Sequence, residues 1–107
     1  VLCGEAGDID RATPGPMNDF ARKFQTRFGA SVLVYAPYTY DATHVIADAM
    51  RRADSTEPAR VAAALRASKY NGVTGLISFD QNGDIIDGAI SLFNYEGQKR
   101  TLTAVIR

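Results

Sequence analysis

The sequence predicts a mixed α/β chain with helices first and strands last, and three observations predict it. Apolar residues recur at helical spacing between Met17 and Leu65, and after Tyr70-Asn71-Gly72 the period falls toward two. The length of 107 residues, at 46% hydrophobic composition, suffices for one modest core and not for two. One unit over 1–107 is expected, divided into an irregular lead-in (1–15), a helical part (16–70) and a strand-rich part (71–107).

The first sixteen residues hold Gly4, Gly7, Pro14, Gly15 and Pro16 among several acids, a composition that interrupts regular structure. From Pro16, the residues Met17, Phe20, Ala21, Phe24 and Phe28 share one helical face, with Asn18, Asp19, Arg22 and Lys23 opposite. Proline suits the first turn, where its missing N–H would be unpaired, and Gly29 can adopt the left-handed conformation that ends a helix. Ser31 to Tyr35 reads as an extended link, and a new element begins at Ala36-Pro37. A second stripe follows in Ala42, Val45, Ile46, Ala49, Met50 and Ala53, which places Asp41, His44, Asp48, Arg51 and Arg52 on the solvent side. The run Ser55-Thr56-Glu57-Pro58 supplies hydroxyl caps and a first-turn proline for a third helix reaching about Ala67.

Strands are expected at Leu76 to Phe79, at Ala89 to Tyr95, and finally at Leu102 to Ile106, where residues alternate. Asn82-Gly83 is a hairpin signal of the type I′ kind, and Asp87-Gly88 and Glu96-Gly97 mark further reversals.

The charge balance of twelve Lys plus Arg against twelve Asp plus Glu, with no block of one sign, argues against a nucleic-acid partner. No apolar stretch approaches the roughly 20 residues that a membrane helix needs. His44 has Asp41 and Asp48 three and four residues away, yet zinc would require further histidine or cysteine ligands, and Cys3 is the only cysteine. Asp80 to Asp84 fails the spacing of a calcium loop, since Gly83 is the fourth residue and Ser91 the twelfth. The glycines of the last third are followed by no Lys-Ser/Thr pair and form no GxGxxG. No catalytic residue, metal site or cofactor is therefore expected, and the residues alone reach no further than a mixed α/β unit. On residues alone, Tyr35, Tyr38 and Tyr40 remain open between core packing and a pocket wall.

One ordered set of motifs goes further. Phe20-Ala21-Arg22-Lys23-Phe24 to Phe28-Gly29, then Tyr35-Ala36-Pro37-Tyr38-Thr39-Tyr40-Asp41-Ala42, resembles the C-terminal region of leucine/isoleucine/valine-type solute-binding proteins of ABC importers. The order continues through Asp48-Ala49-Met50, Ser55-Thr56-Glu57-Pro58, Tyr70-Asn71-Gly72-Val73-Thr74-Gly75, Ser78-Phe79-Asp80 and Asn82-Gly83-Asp84. Asp54 stands where these proteins commonly have glycine.

The resemblance implies a C-terminal stretch of a type I periplasmic-binding fold, two α/β lobes that close on a small ligand. It further implies an amino-acid ligand, branched-chain or otherwise hydrophobic, an ABC permease as membrane partner, and a periplasmic location with a signal peptide upstream. The family places an aromatic against the ligand side chain just before the Tyr-Asp-Ala helix, and the matching position is Tyr35, with Tyr38 the second choice. The groups that hold the ligand's α-carboxylate and α-ammonium would lie outside this stretch. A regulatory sensor or receptor domain on the same fold is the alternative. A further expectation is self-association, because Met17, Phe20, Phe24 and Phe28 with Val45, Ile46 and Met50 would leave a large apolar patch uncovered. The isolated stretch is also expected not to bind leucine measurably.

Overall fold

The structure, a computed structural model, describes residues 1–7 and 14–107. The elements follow in the order β1 (Leu2–Ala6), α1 (Pro16–Phe28), α2 (Ala36–Ala53), α3 (Pro58–Arg66), β2 (Lys69–Gly72), β3 (Gly75–Ser78), β4 (Ile90–Glu96) and β5 (Lys99–Ile106). Strands β1, β4 and β5 form an antiparallel sheet in that order, and β2 and β3 form a separate hairpin.

The helices lie close to their sequence signals. Proline occupies the first turn of α1, and Gly29 ends it at φ 64°, with its N–H donating to the Gln25 carbonyl. Helix α2 begins a turn and a half before the Ala42 stripe, at the Ala36-Pro37 junction. Its buried line is Pro37, Asp41, Val45 and Ala49, one residue in four, and α2 also packs along α3. The α3 cap differs from expectation. The Glu57 carboxylate, not a hydroxyl, accepts from the N–H groups of Ala59 and Arg60, while Ser55 Oγ accepts from the Glu57 N–H.

Arg52 ties the far ends of α2 and α3 together. It bonds Asp48 at 2.7 Å, the Ala64 carbonyl at 2.9 Å and the buried Ser68 hydroxyl at 2.7 Å. The Asp48 carboxyl lies below its ordinary value of 3.8, chiefly through the hydrogen bond from Arg51 and then that from Arg52.

The irregular lead-in is corrected at its start. Residues 2–6 are strand β1, paired with β4 from Leu2↔Asn94 to Ala6↔Ile90. Leu-Cys-Gly-Glu-Ala has little intrinsic strand preference, so the ladder offered by β4 imposes the conformation. The part of the lead-in over 8–13 lies outside the described residues. The helical part ends at Arg66, earlier than residue 70, because Lys69 and Tyr70 already pair in β2 with Ser78 and Ile77. Strands β4 and β5 turn at Gly97-Gln98, and their register shifts at Leu92/Phe93.

The Asn82-Gly83 turn is also of another kind. The Gly83 N–H donates to the Asp80 carbonyl and Asp80 N–H to the Asp84 carbonyl, and Phe79 bridges Ile85. Gly83 has φ 90°, whereas Asn82 is not among the residues at positive φ. This is a three-residue hairpin with a single left-handed position rather than a type I′ turn.

The small core where helices meet sheet centres on Met17 and Phe93, with Tyr38, Tyr95 and Leu102 against it. Met17 and Val45, expected in an uncovered patch, are 6% and 4% exposed and belong to the interior. The radius of gyration is 15.7 Å against about 13 Å for a compact domain of this length, so the molecule is drawn out. Among the described residues, no helix is long and apolar enough to cross a membrane.

Candidate ligand-binding site at the start of helix α2

Tyr35 is the residue immediately before α2, in the αR region at φ −86° and ψ −16°. Its carbonyl accepts the first helical hydrogen bond, from Thr39 N–H at 3.0 Å, and the residue is 79% exposed. Tyr38 lies one turn on and is half-buried. Its hydroxyl donates to the Ala6 carbonyl at the end of β1, and its ring joins the Met17–Phe93 cluster. The sequence thus brings the two tyrosines onto one helix start but not into one environment.

Tyr38 also borders an open groove of about 730 Å³ between α2, hairpin β2–β3 and the segment 79–89. Val45, Ile46, Leu76, Phe79 and Ile86 supply further apolar wall. Tyr35 is not part of this lining. An apolar channel with a few polar groups suits an apolar solute or apolar chain segment.

Asp41 departs from expectation. It is 2% exposed, on the buried line of α2 rather than the solvent face. Its Oδ1 accepts from Val73 N–H at 2.9 Å, and its Oδ2 accepts from Thr74 N–H at 2.8 Å and from the Thr74 hydroxyl at 2.6 Å. These bonds replace the water that burial removes. The signal was present in the spacing, because Asp41 precedes the buried Val45 and Ala49 by four and eight residues.

The other candidates are accounted for. His44 is exposed, and its ring packs on Tyr40 at 4.4 Å. That contact ends an aromatic row running Phe28, Phe24, Phe20, Tyr40, His44 across α1 and α2. Asp48 is committed to Arg51 and Arg52. Asp80 Oδ1 accepts from the N–H groups of Asn82 and Asp84, so its carboxylate organises the turn. Cys3 is exposed on β1. Among the described residues, no group of three or more His, Cys, Asp or Glu side chains is placed to hold a metal.

Solved structures of high similarity are solute-binding proteins. A leucine-binding protein LivK from Thermotoga maritima superposes with a TM-score of 0.83 at 25% identity, over 99% of this chain and 30% of that one. An ABC transporter substrate-binding protein from Desulfitobacterium hafniense in complex with Leu gives 0.79 at 30% identity, over 95% of this chain and 30% of that one. A solute-binding protein of an ABC transporter from R. palustris, in complex with benzoate, gives 0.74 at 16% identity over 98% and 29%, a likeness of fold. The chain therefore spans about 30% of the length of these structures. No curated protein matches it. The fold is part of the type I periplasmic-binding fold, with three helices and antiparallel strands in the same arrangement. The model of the receptor family ligand binding region matches residues 15–98, and the chain belongs to that family.

Proposed function

We propose that the chain is part of an extracytoplasmic solute-binding protein of an ABC importer, one that takes a hydrophobic amino acid between two lobes and presents it to a membrane permease. The observation that carries this reading is the likeness, over nearly the whole chain, to two structures named for leucine binding or holding Leu. Lobe closure around the solute would be the signal that the permease reads, and no bond would be made or broken.

In this reading Tyr35 forms a wall of the cleft. The residue stands at a helix start and is largely exposed, which leaves it open to a ligand. Tyr38 reaches the solute space only with its ring, since its hydroxyl is engaged by Ala6. The test is calorimetry on a protein that contains this sequence at the length of its structural relatives, with leucine, isoleucine, valine, phenylalanine and benzoate. Binding of an aliphatic amino acid supports the proposal, and binding of none of the five removes it. Fractionation checks the periplasmic location.

A ligand-sensing receptor domain is the second reading, favoured by the receptor family whose model matches residues 15–98. Reconstitution with a permease separates the two. Solute-dependent stimulation of ATP hydrolysis belongs to the importer alone.

A further inference from the structure

The helical layer and the three-stranded sheet are joined covalently at the two ends of the segment 7–15 and by the segment 79–89. Beside the Met17–Phe93 contact, three hydrogen bonds among the described residues meet at one spot of this junction. Gly7 N–H donates to the Ala89 carbonyl at 2.6 Å, the Ser91 hydroxyl donates to the Gly7 carbonyl at 2.6 Å, and the Tyr38 hydroxyl donates to the Ala6 carbonyl. The first two ties hold the start of one crossing to the end of the other. Of these three bonds, the third is the one that reaches from a helix.

A second observation is independent of that hydrogen bond. A Cβ on Gly7 would stand 2.7 Å from Tyr38 Cζ and 2.8 Å from Cε1, so the ring fills the space a side chain would need. Gly7 also has φ 95°, which side-chain-bearing residues rarely adopt. Behind the ring lies the Met17–Phe93 cluster, which fixes it from the helix α1 side.

We infer that Tyr38 is a positioning residue that sets the angle between the helical layer and the sheet, its hydroxyl latching Ala6 and its ring seated on Gly7. This rests on the proposed solute-binding reading, in which that angle governs how the cleft closes. A hinge of this kind has few contacts to change, so removing one donor shifts the population of orientations without unfolding either part.

The experiment is a pulsed dipolar measurement of the distance between spin labels at Arg66 on α3 and Thr103 on β5, in the protein that carries this sequence and without solute. Tyr38→Phe keeps the ring and removes the donor. The expected result is a shifted and broader distance distribution, with unchanged circular dichroism. Gly7→Ala should shift the distribution as well, and adding Tyr38→Ala to it should bring the distribution part of the way back. A Tyr38→Phe distribution identical to that of the unsubstituted protein overturns the inference, whatever Gly7→Ala does to folding. If solute affinity falls while the distribution stays fixed, Tyr38 acts by touching solute and the positioning role is likewise overturned. The measurement without solute stands apart from the binding proposal, which fails only if no solute binds.

Discussion

Asp41 Oδ2 accepts from both the backbone N–H and the hydroxyl of Thr74, at 2.8 and 2.6 Å, and so fastens the turn of hairpin β2–β3 to the middle of α2. The fit leaves no room beside it. A Cβ on Gly72 would stand 2.5 Å from Asp41 Cγ and 2.8 Å from Oδ1. Asp41→Ala would leave the donors of Val73 and Thr74 unpaired, and the expected loss is about 2–4 kcal/mol in urea unfolding. Gly72→Ala should cost about 1–3 kcal/mol by forcing the carboxylate aside. If Asp41→Ala unfolds at the same urea concentration as the unsubstituted protein, the buried carboxylate does not hold the hairpin.

The turn at Asp80–Asp84 offers a local test. Gly83 has φ 90° and nothing packs where its side chain would be, so substitution acts through the backbone alone. Gly83→Val is expected to destabilise by roughly 1–2 kcal/mol, the order of the left-handed penalty for a side-chain-bearing residue. Asn82→Val, at a position that does not need positive φ, should cost less. Equal costs at the two positions would contradict the three-residue turn.

These two sites show what the sequence could and could not reveal. Helix α1 was legible to the residue, because Pro16 and Gly29 act locally and the Phe20, Phe24, Phe28 spacing needs no partner to be recognised. Strand β1 was not legible, since its conformation comes from β4, more than eighty residues away. Asp41 was misread for a related reason. Polarity argued for the solvent face, and the donors that offset burial of the carboxylate come from the distant Val73 and Thr74. Tyr35 and Tyr38 read alike in the sequence, but their different environments depend on Ala6, which no spacing near α2 reports.

The Asp48 pair network predicts a pH dependence. Its carboxyl is held below the ordinary 3.8 by Arg51 and Arg52, so its contribution to stability is fully present above that pH. It is lost as pH falls through the lower folded-state value. Asp48→Asn should therefore be less stable than the unsubstituted protein near neutral pH, and the difference should close in strong acid. Added salt should narrow the neutral-pH difference, because the arginines are partly in solvent. A difference that persists unchanged into strong acid would point to packing rather than charge.

For Tyr35 the expectation concerns affinity. In the proposed two-lobe protein, Tyr35→Ala should weaken amino-acid binding by about 1–3 kcal/mol, the range for losing a desolvated aromatic contact. Because Tyr35 is 79% exposed here and its side chain makes no capping hydrogen bond, the helix content should not change. Calorimetric affinity equal to that of the unsubstituted protein would take Tyr35 out of the site.

The last prediction concerns the chain by itself. Met17 and Val45 are covered within the molecule, but Phe28, Ile46 and Met50 remain exposed on the helices, and Leu76, Ile85 and Ile86 around the groove. Ile46, Leu76 and Ile86 line one groove, which gathers their exposed surfaces into an apolar strip. Strips of this kind are seldom left open to water by monomers, and a second copy can bury them on both sides of a shared interface. We therefore expect the 107-residue chain to self-associate, with its sedimentation coefficient rising with concentration. Ile46→Glu together with Ile86→Glu should return it toward the monomer at little cost to the fold, since each residue is 44% exposed. Sedimentation as a monomer at every concentration would show that the groove closes on itself, and dimers that withstand both substitutions would place the interface elsewhere.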